Sequence, residues 1–371
     1  MLDTFLVIKS KIVKNILFFY NPISQNLLRS EKLKIVHILY FTEFAGTEKV
    51  CVDLCNTMSQ NNEVFLLANI DDFQGNKITN YIENTVNFID IETNKNRHNI
   101  FYLYKIAKIL KNINPDVIHC HNTKMLEIMK YCQIFLPKKI PLVFTKHNWF
   151  IKKRMKYADL CVGISPETLK LCNAKNNILI ENGINFQQPK NILPNNFFNI
   201  VGVGRLEEHK NWQLAITALS QVNFDYRLYI LGQGIYEQPL KDLIEKLNVA
   251  DKVKLVGFVD NPWDYIYSSD LQILPSRLEG FSLALIEGIY YGKMVFTLDT
   301  ANHREVLGDD FIIEDDAEKL AIKLDQVYLN YEKFNEKFAN IKAESARFNI
   351  NQVAKKYVDA YQSLLHKANV V

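Results

Sequence analysis

From Lys34 onward, short apolar runs alternate with longer amphipathic stretches, and after one break the alternation begins again. KIVHILY (34–40), EVFLLA (63–68), residues 86–89, DVIH (116–119), PLVFT (141–145), LCVGI (160–164) and residues 178–180 read as strands; 49–59 and 100–111 read as helices. INFQQPKNILPNN (184–196), with two prolines and several Asn and Gln, interrupts the rhythm and reads as a linker. Strands are then predicted over 199–203, 227–231, 252–256, 271–274 and 294–297, and helices over 212–222, 239–247, 283–291 and 317–330. Strands spaced by helices of 10–15 residues build βαβ units and parallel sheets. The prediction is an α/β chain of two doubly wound, Rossmann-like units facing each other across a cleft. Its expected boundaries are an amino-terminal extension over 1–33, a first domain over 34–188, a second over 189–348 and a carboxy-terminal helical segment over 349–371.

Length agrees with that division, because 371 residues exceed what one core sustains, about 250–300. A net charge of +3 gives no reason to expect nucleic acid. The six cysteines, 51, 55, 120, 132, 161 and 172, contain no CxxC pair and read as reduced core thiols of a cytosolic protein. No apolar run is long enough to span a bilayer. Phe5, Ile8, Ile12, Ile16 and Phe19 recur at helical spacing among Lys9, Lys11 and Lys14. That pattern suits an amphipathic helix on a membrane surface, a helix packed on the body, or a loose extension. No small-residue cleavage site follows it, so a signal peptide is not expected.

Two loops draw attention. In LQILPSRLEGFSLALIEGIYYG (271–292) a buried strand leads to Glu279, Gly280 permits a tight backbone, and Ser282 stands where it would cap a helix starting at Leu283. Glu287 lies roughly 7 Å further along that helix axis. The two carboxylates would hold two sets of hydroxyls on one extended ligand, or they are solvated glutamates on a capped surface helix. In NIVGVGRLEEHK (199–210), Arg205 and Lys210 follow a strand end and suit a diphosphate, or are solvated cations. The loop 41–48 carries Gly46, where backbone would approach a ligand closely. His119, His121 and His147 sit at strand ends, but no short-range zinc spacing such as HExxH occurs, so no metal is expected.

Together these motifs resemble family 4 of the retaining glycosyltransferases, which have the two-domain GT-B fold. The resemblance runs from about Lys34 to Leu365 and rests on Glu279-GFSLALI-Glu287 preceded by LPSRL, on Gly204-Arg205-Leu206 with Lys210, and on YILGQG, KVKLVGF and SSDLQILPS in order. FAGTEKVCVDL, PDVIHCH, PLVFTKH, ADLCVGIS and ENGI match in the first half. Two departures stand out: Ala45 replaces the first glycine of the amino-terminal loop, and residues 299–306 (DTANHREV) lack the usual glycine pair.

The resemblance implies that Arg205 and Lys210, with the loop at Gly46, hold the donor diphosphate. Glu287 would hold the ribose, Gly257 and Phe258 would lie by the base, and Glu279, Gly280, Phe281, Ser282 and His121 would contact the sugar. Glu279, His121, Arg205 and Lys210 would form the catalytic set, with no metal or other cofactor. Helices beyond about residue 350 would cross back to the first domain. The implied reaction moves a sugar, with retention, from a nucleoside-diphosphate sugar to a glycan or lipid-linked acceptor in surface polysaccharide or lipopolysaccharide synthesis. An epimerase of the same fold and a non-catalytic nucleotide-sugar-binding subunit are the alternatives. Residues 124–156 hold nine Lys or Arg and one Glu beside Ile140, Trp149, Phe150 and Ile151. They form either a solvated basic face or a contact with an anionic membrane, giving a cytoplasmic protein peripheral to the inner face of the membrane.

Overall fold

The computed structural model describes residues 32–71, 75–147, 153–279, 282–300 and 303–369. The predicted amino-terminal amphipathic segment, Gly280, Phe281, the Trp149–Ile151 cluster, Ala301 and Asn302 lie outside those residues. In the first lobe the elements are β1 (Lys34–Ile38), α1 (Gly46–Ser59), β2 (Glu63–Ala68), β3 (Asn87–Asp90), α2 (Ile100–Ile113), β4 (Val117–Cys120), α3 (Thr123–Cys132), β5 (Leu142–Lys146), β6 (Leu160–Gly163), α4 (Pro166–Lys170) and β7 (Asn176–Leu179). The second lobe has β8 (Phe198–Val203), α5 (Trp212–Leu219), β9 (Tyr226–Leu231), α6 (Glu237–Lys246), β10 (Val253–Gly257), α7 (Pro262–Ser268), β11 (Leu271–Leu274), α8 (Leu283–Tyr291), β12 (Val295–Leu298), α9 (His303–Leu307), β13 (Ile312–Ile313) and α10 (Ala317–Leu329). Helices α11 (Tyr331–Ala343) and α12 (Ile350–Asn369) end the chain.

Both sheets are parallel, ordered β3-β2-β1-β4-β5-β6-β7 and β10-β9-β8-β11-β12-β13. Each is therefore doubly wound, and its order reverses once: between β1 and β4 in the first lobe, and between β8 and β11 in the second. Central strands β4, β5, β11 and β12 are buried at every residue, whereas no residue of the edge strands β3 and β7 is fully buried. That contrast follows from helices covering both faces of a parallel sheet.

The two lobes are joined at two adjacent crossings. Ile184 donates to Phe348 O (2.9 Å), and Ile350 donates back to Ile184 O (3.0 Å), so the outgoing and returning segments pair like strands. Beyond Ile350, α12 lays Val353, Tyr357 and Tyr361 onto the core formed by α1 and the first sheet. The segment 184–196 is fastened to the second lobe rather than free. Gln187 N donates to Tyr291 Oη (2.6 Å), Lys190 N to Asp264 Oδ1 (2.7 Å) and Ile192 N to Ser268 Oγ (2.8 Å). A hinge here narrows to the paired crossings, because three backbone donors further along the predicted linker are bonded to the second lobe.

Candidate functional site

In open α/β sheets ligands bind beyond the carboxyl ends of the strands where the order reverses. Four loops occupy that position here, following β1, β4, β8 and β11, and nearly all the candidate residues stand on them.

The loop after β8 carries Arg205 and Lys210. It is held by Trp212, a buried ring whose Nε1 donates to Arg205 O (3.0 Å). Gly232, at the end of β9, has φ +141, and a Cβ there would run into Gly204 O, so backbone lies directly on backbone under the loop. Lys210 Nζ reaches Glu279 Oε1 at 2.5 Å, with the two side chains only 14% and 13% exposed. The cation of the β8 loop and the carboxylate of the β11 loop thus form one pair. Arg205 points the other way. Its Nη1 meets Glu207 (2.7 Å) on its own loop and Glu43 (2.9 Å) on the loop after β1, so it bridges the lobes.

Helix α8 begins after Ser282, which occupies the N-cap position but makes no capping hydrogen bond. The expected cap is corrected on that point: with φ −71 and ψ 129 the backbone turns in as a cap, while the hydroxyl does not take a first-turn N–H. Glu287 is buried, and burial pushes its carboxyl up to about 7, with Lys49 opposing and Asp53 adding to the rise. Lys49 and Asp53, themselves paired at 2.9 Å on α1, belong to the first lobe. Leu283 packs against both lobes' cores, so α8 and α1 face each other. Sequence reading missed Lys49 and Asp53; their i,i+4 spacing marks a helical pair, but not that it faces the other lobe.

The alanine at 45 is conformationally ordinary, with φ −125 and ψ −166, so this departure from glycine introduces no strain. Alanine has no side chain with which to cap α1. Glu48, three residues on, bonds the backbone of Ala45 and its own N–H instead. Burial, with Glu43 nearby, nevertheless raises Glu48 to about 7. Gly46 has open space where a Cβ would stand, which leaves the helix start accessible.

At the floor of the first lobe, His121 is buried, with Nε2 at 3.0 Å from His37 Nδ1 and Nδ1 at 3.2 Å from His147 Nε2. His119 is fully engaged by Thr145 (2.7 Å) and Tyr361 (2.7 Å) as a core histidine. Burial, first of all, holds His119, His121 and His147 below the usual imidazole range, and His147 reaches about 3. The ring of His121 thus sits between His37 and His147. At the far end of the second lobe, Gly257 (φ +86) bridges to Gly232, and Phe258 beside it is exposed.

Arg277, two residues before Glu279, lines a cavity of about 530 Å³ with Asp299, Thr300, Arg304, Asp309 and Asp315 among others. Arg304 pairs with Asp299 (2.7 Å) and Asp309, and Arg277 with Asp315 (2.6 Å). Buried His303 anchors the segment, its Nδ1 meeting Thr297 (3.0 Å) and Thr300 (3.2 Å). Glu279 is close enough to His303 to act on its charge. His303 was passed over in the sequence because it lies in the stretch that departs from the family pattern.

The raised Glu287 and Glu48 carry a pH prediction. Each binds its proton more tightly folded than unfolded, so their contribution is complete below about pH 4.5 and is lost as pH rises through about 7. Glu287→Gln, which cannot ionise, is expected to gain on the wild type by roughly 3 kcal/mol between those limits, at about 1.4 kcal/mol per pKa unit. Urea unfolding at pH 5 and pH 8 measures it, and a constant difference between the two proteins would show that Glu287 titrates normally.

A cation pair and two separated carboxylates, gathered where two doubly wound sheets turn their strand ends toward each other, define a two-lobed GT-B protein. The chain belongs to the group 1/family 4 glycosyltransferases: the family Glycosyltransferase Family 4 matches residues 44–185, and Glycosyl transferases group 1 matches residues 183–345. It is similar to the N-acetylgalactosamine-N,N'-diacetylbacillosaminyl-diphospho-undecaprenol 4-alpha-N-acetylgalactosaminyltransferase of Campylobacter jejuni, 33% identical over 171 residues. That match covers 45% of this chain and 46% of the relative, so the chain spans about half of that relative's length. It is 23% identical over 288 residues to the O-antigen biosynthesis glycosyltransferase WclY of Escherichia coli, covering 68% of this chain and 80% of that one. Among solved structures, Anabaena HepE in complex with UDP-glucose superposes with a TM-score of 0.77 at 16% identity, over 89% of this chain and all of that one.

Proposed function

We propose that the chain transfers a sugar from a nucleoside-diphosphate sugar to a glycan or lipid-linked acceptor, with retention and with its own cations in place of a metal at the leaving group. The observation that carries this is the Lys210–Glu279 pair beside Arg205, where the second sheet reverses its order. Departure of a nucleoside diphosphate develops negative charge, and preorganised cations stabilise it most where water is excluded. Lys210 and Arg205 face that charge, and Glu279 positions both Lys210 and the sugar. Glu287 accepts from the ribose hydroxyls, Phe258 lies against the base, and His121 backs the sugar through His147. In the retaining step the leaving phosphate takes the acceptor's proton, which leaves Glu279 a positioning role; a trapped glycosyl ester on Glu279 would overturn this.

The activity of the Campylobacter relative, on a diphospho-undecaprenol acceptor, supports a lipid-linked acceptor here. So does the basic surface. Its single acid, Glu127, is buried between Arg97 (3.2 Å) and Arg154 (2.7 Å), and Lys130 and Lys138 are exposed with no acidic partner among the described residues. Lys146 does not belong to that face, being buried in β5, and Lys139 is paired with Asp159. Nearby, Phe101 is 84% and Ile134 78% exposed. No helix among the described residues is long and apolar enough to cross a membrane, so contact would be peripheral. Co-sedimentation with anionic but not neutral vesicles, lost at high salt, is the expected result; equal binding to both would remove the membrane from the proposal.

Incubation with UDP-, GDP- and ADP-sugars, with and without lipid-linked acceptors, tests the function itself. Acceptor-dependent release of nucleoside diphosphate is expected. Isomerised donor without acceptor would identify an epimerase, and binding without turnover a non-catalytic subunit.

A further inference from the structure

We propose that His37, Cys51 and His121, completed by Cys55, bind one thiophilic divalent cation of the zinc class, buried between β1, β4 and α1. Of the proposed sugar-transfer residues, the site shares only His121. It lies beneath the first lobe's loops and holds the helix that carries Glu48 and Lys49 to the other lobe.

Donor chemistry and position carry the argument. His37 from β1, Cys51 from α1 and His121 just after β4 each offer one ligand atom, and those atoms lie within 4.8 Å of one another. All three residues are buried. Cys55, also buried, is one helical turn beyond Cys51 on the same face. Two imidazoles and two thiols form a donor set that zinc takes in structural sites, four-coordinate and closed to water.

The two imidazoles are already set close together. His37 Nδ1 and His121 Nε2 face each other at 3.0 Å, a separation that holds a single shared proton or a cation. With metal–nitrogen bonds of about 2.0–2.1 Å, that separation subtends roughly 95°, and opening it to the tetrahedral angle needs only a few tenths of an ångström. The other ring nitrogen, His37 Nε2, is buried with no hydrogen-bond partner.

No short motif announces the set, because its donors come from three elements that only the β1–β4 pairing and the packing of α1 bring together.

Metal analysis of the full chain, expressed without a histidine tag and kept reduced, tests the site. About one zinc per chain is expected after gel filtration, and the cobalt-substituted protein should show sulfur-to-cobalt charge transfer with the visible bands of four-coordination. Cys51→Ser and His37→Gln should each lower retained metal by roughly tenfold or more, because each removes one of four ligands. Cys132→Ser, on the opposite face of the sheet, should not. Retention of less than about a tenth of an equivalent by reconstituted wild type would overturn the site. Zinc kept equally by Cys51→Ser and His37→Gln would do the same, since it would then lie elsewhere. Should either variant fail to fold by circular dichroism, the wild-type cobalt spectrum decides alone: no sulfur charge transfer, no site.

Discussion

Arg205→Ala yields a folded protein whose transfer rate falls roughly 10²–10³-fold, the usual cost of removing one preorganised charge stabiliser. Folding survives because Arg205 is half exposed, and its pairs with Glu43 and Glu207 are surface pairs worth at most about 1 kcal/mol. Lys210→Ala costs as much in rate but is the less clean experiment. It strands Glu279, only 13% exposed, without its cation, so some stability is lost as well. The two variants therefore separate chemistry from scaffold: both lose turnover, and only the second loses stability. Steady-state kinetics with a competent donor and acceptor, beside thermal melts, provide both readouts. Turnover by Arg205→Ala within a few-fold of wild type would take Arg205 out of the mechanism.

Trp212→Ala is the corresponding test of the scaffold. The ring is buried against Gly202 and Gly204, where a Cβ would collide with it or press on it, and its Nε1 holds Arg205 O. Removing so large a buried side chain costs about 3–5 kcal/mol, which for a lobe of this size lowers the melting temperature by roughly 10 °C. Nucleotide affinity should fall with it, because the loop bearing Arg205 and Lys210 loses its support. Trp212→Phe keeps the ring and loses one hydrogen bond, so its penalty should be nearer 1 kcal/mol. A Trp212→Ala protein that melts within 2 °C of wild type would show that the loop supports itself.

How much of this was legible in the sequence depended on the range of the interaction. Strands buried on both faces, such as β11 and β12, stand out as unbroken apolar runs, and the strand ends found lie within a residue or two of those expected. Short elements escaped. Helix α3 hides inside the basic stretch although Asn122 caps it, accepting from Met125 N, and α7 carries a proline at its start that could have marked it. Within the site, the motifs drew attention to Arg205, Lys210, Glu279 and Glu287. That Lys210 would meet Glu279 while Arg205 turned to Glu43 could not be read from them. The second contact needs the positions of both lobes, and so do Lys49 facing Glu287 and His37 facing His121. The Ala45 departure stood out from residue type, and its backbone angles show that it carries no strain.

The paired crossings at Ile184 and Ile350 have a consequence for motion. A single tether would let one lobe swivel and twist; two tethers hydrogen-bonded side by side behave as a door hung on one pin. The lobes can then swing, but each swing brings the same edges together, with Glu43 returning to Arg205 and Lys49 to Glu287. Whatever occupies the gap, the chain does not have to search for its closed geometry at every turnover.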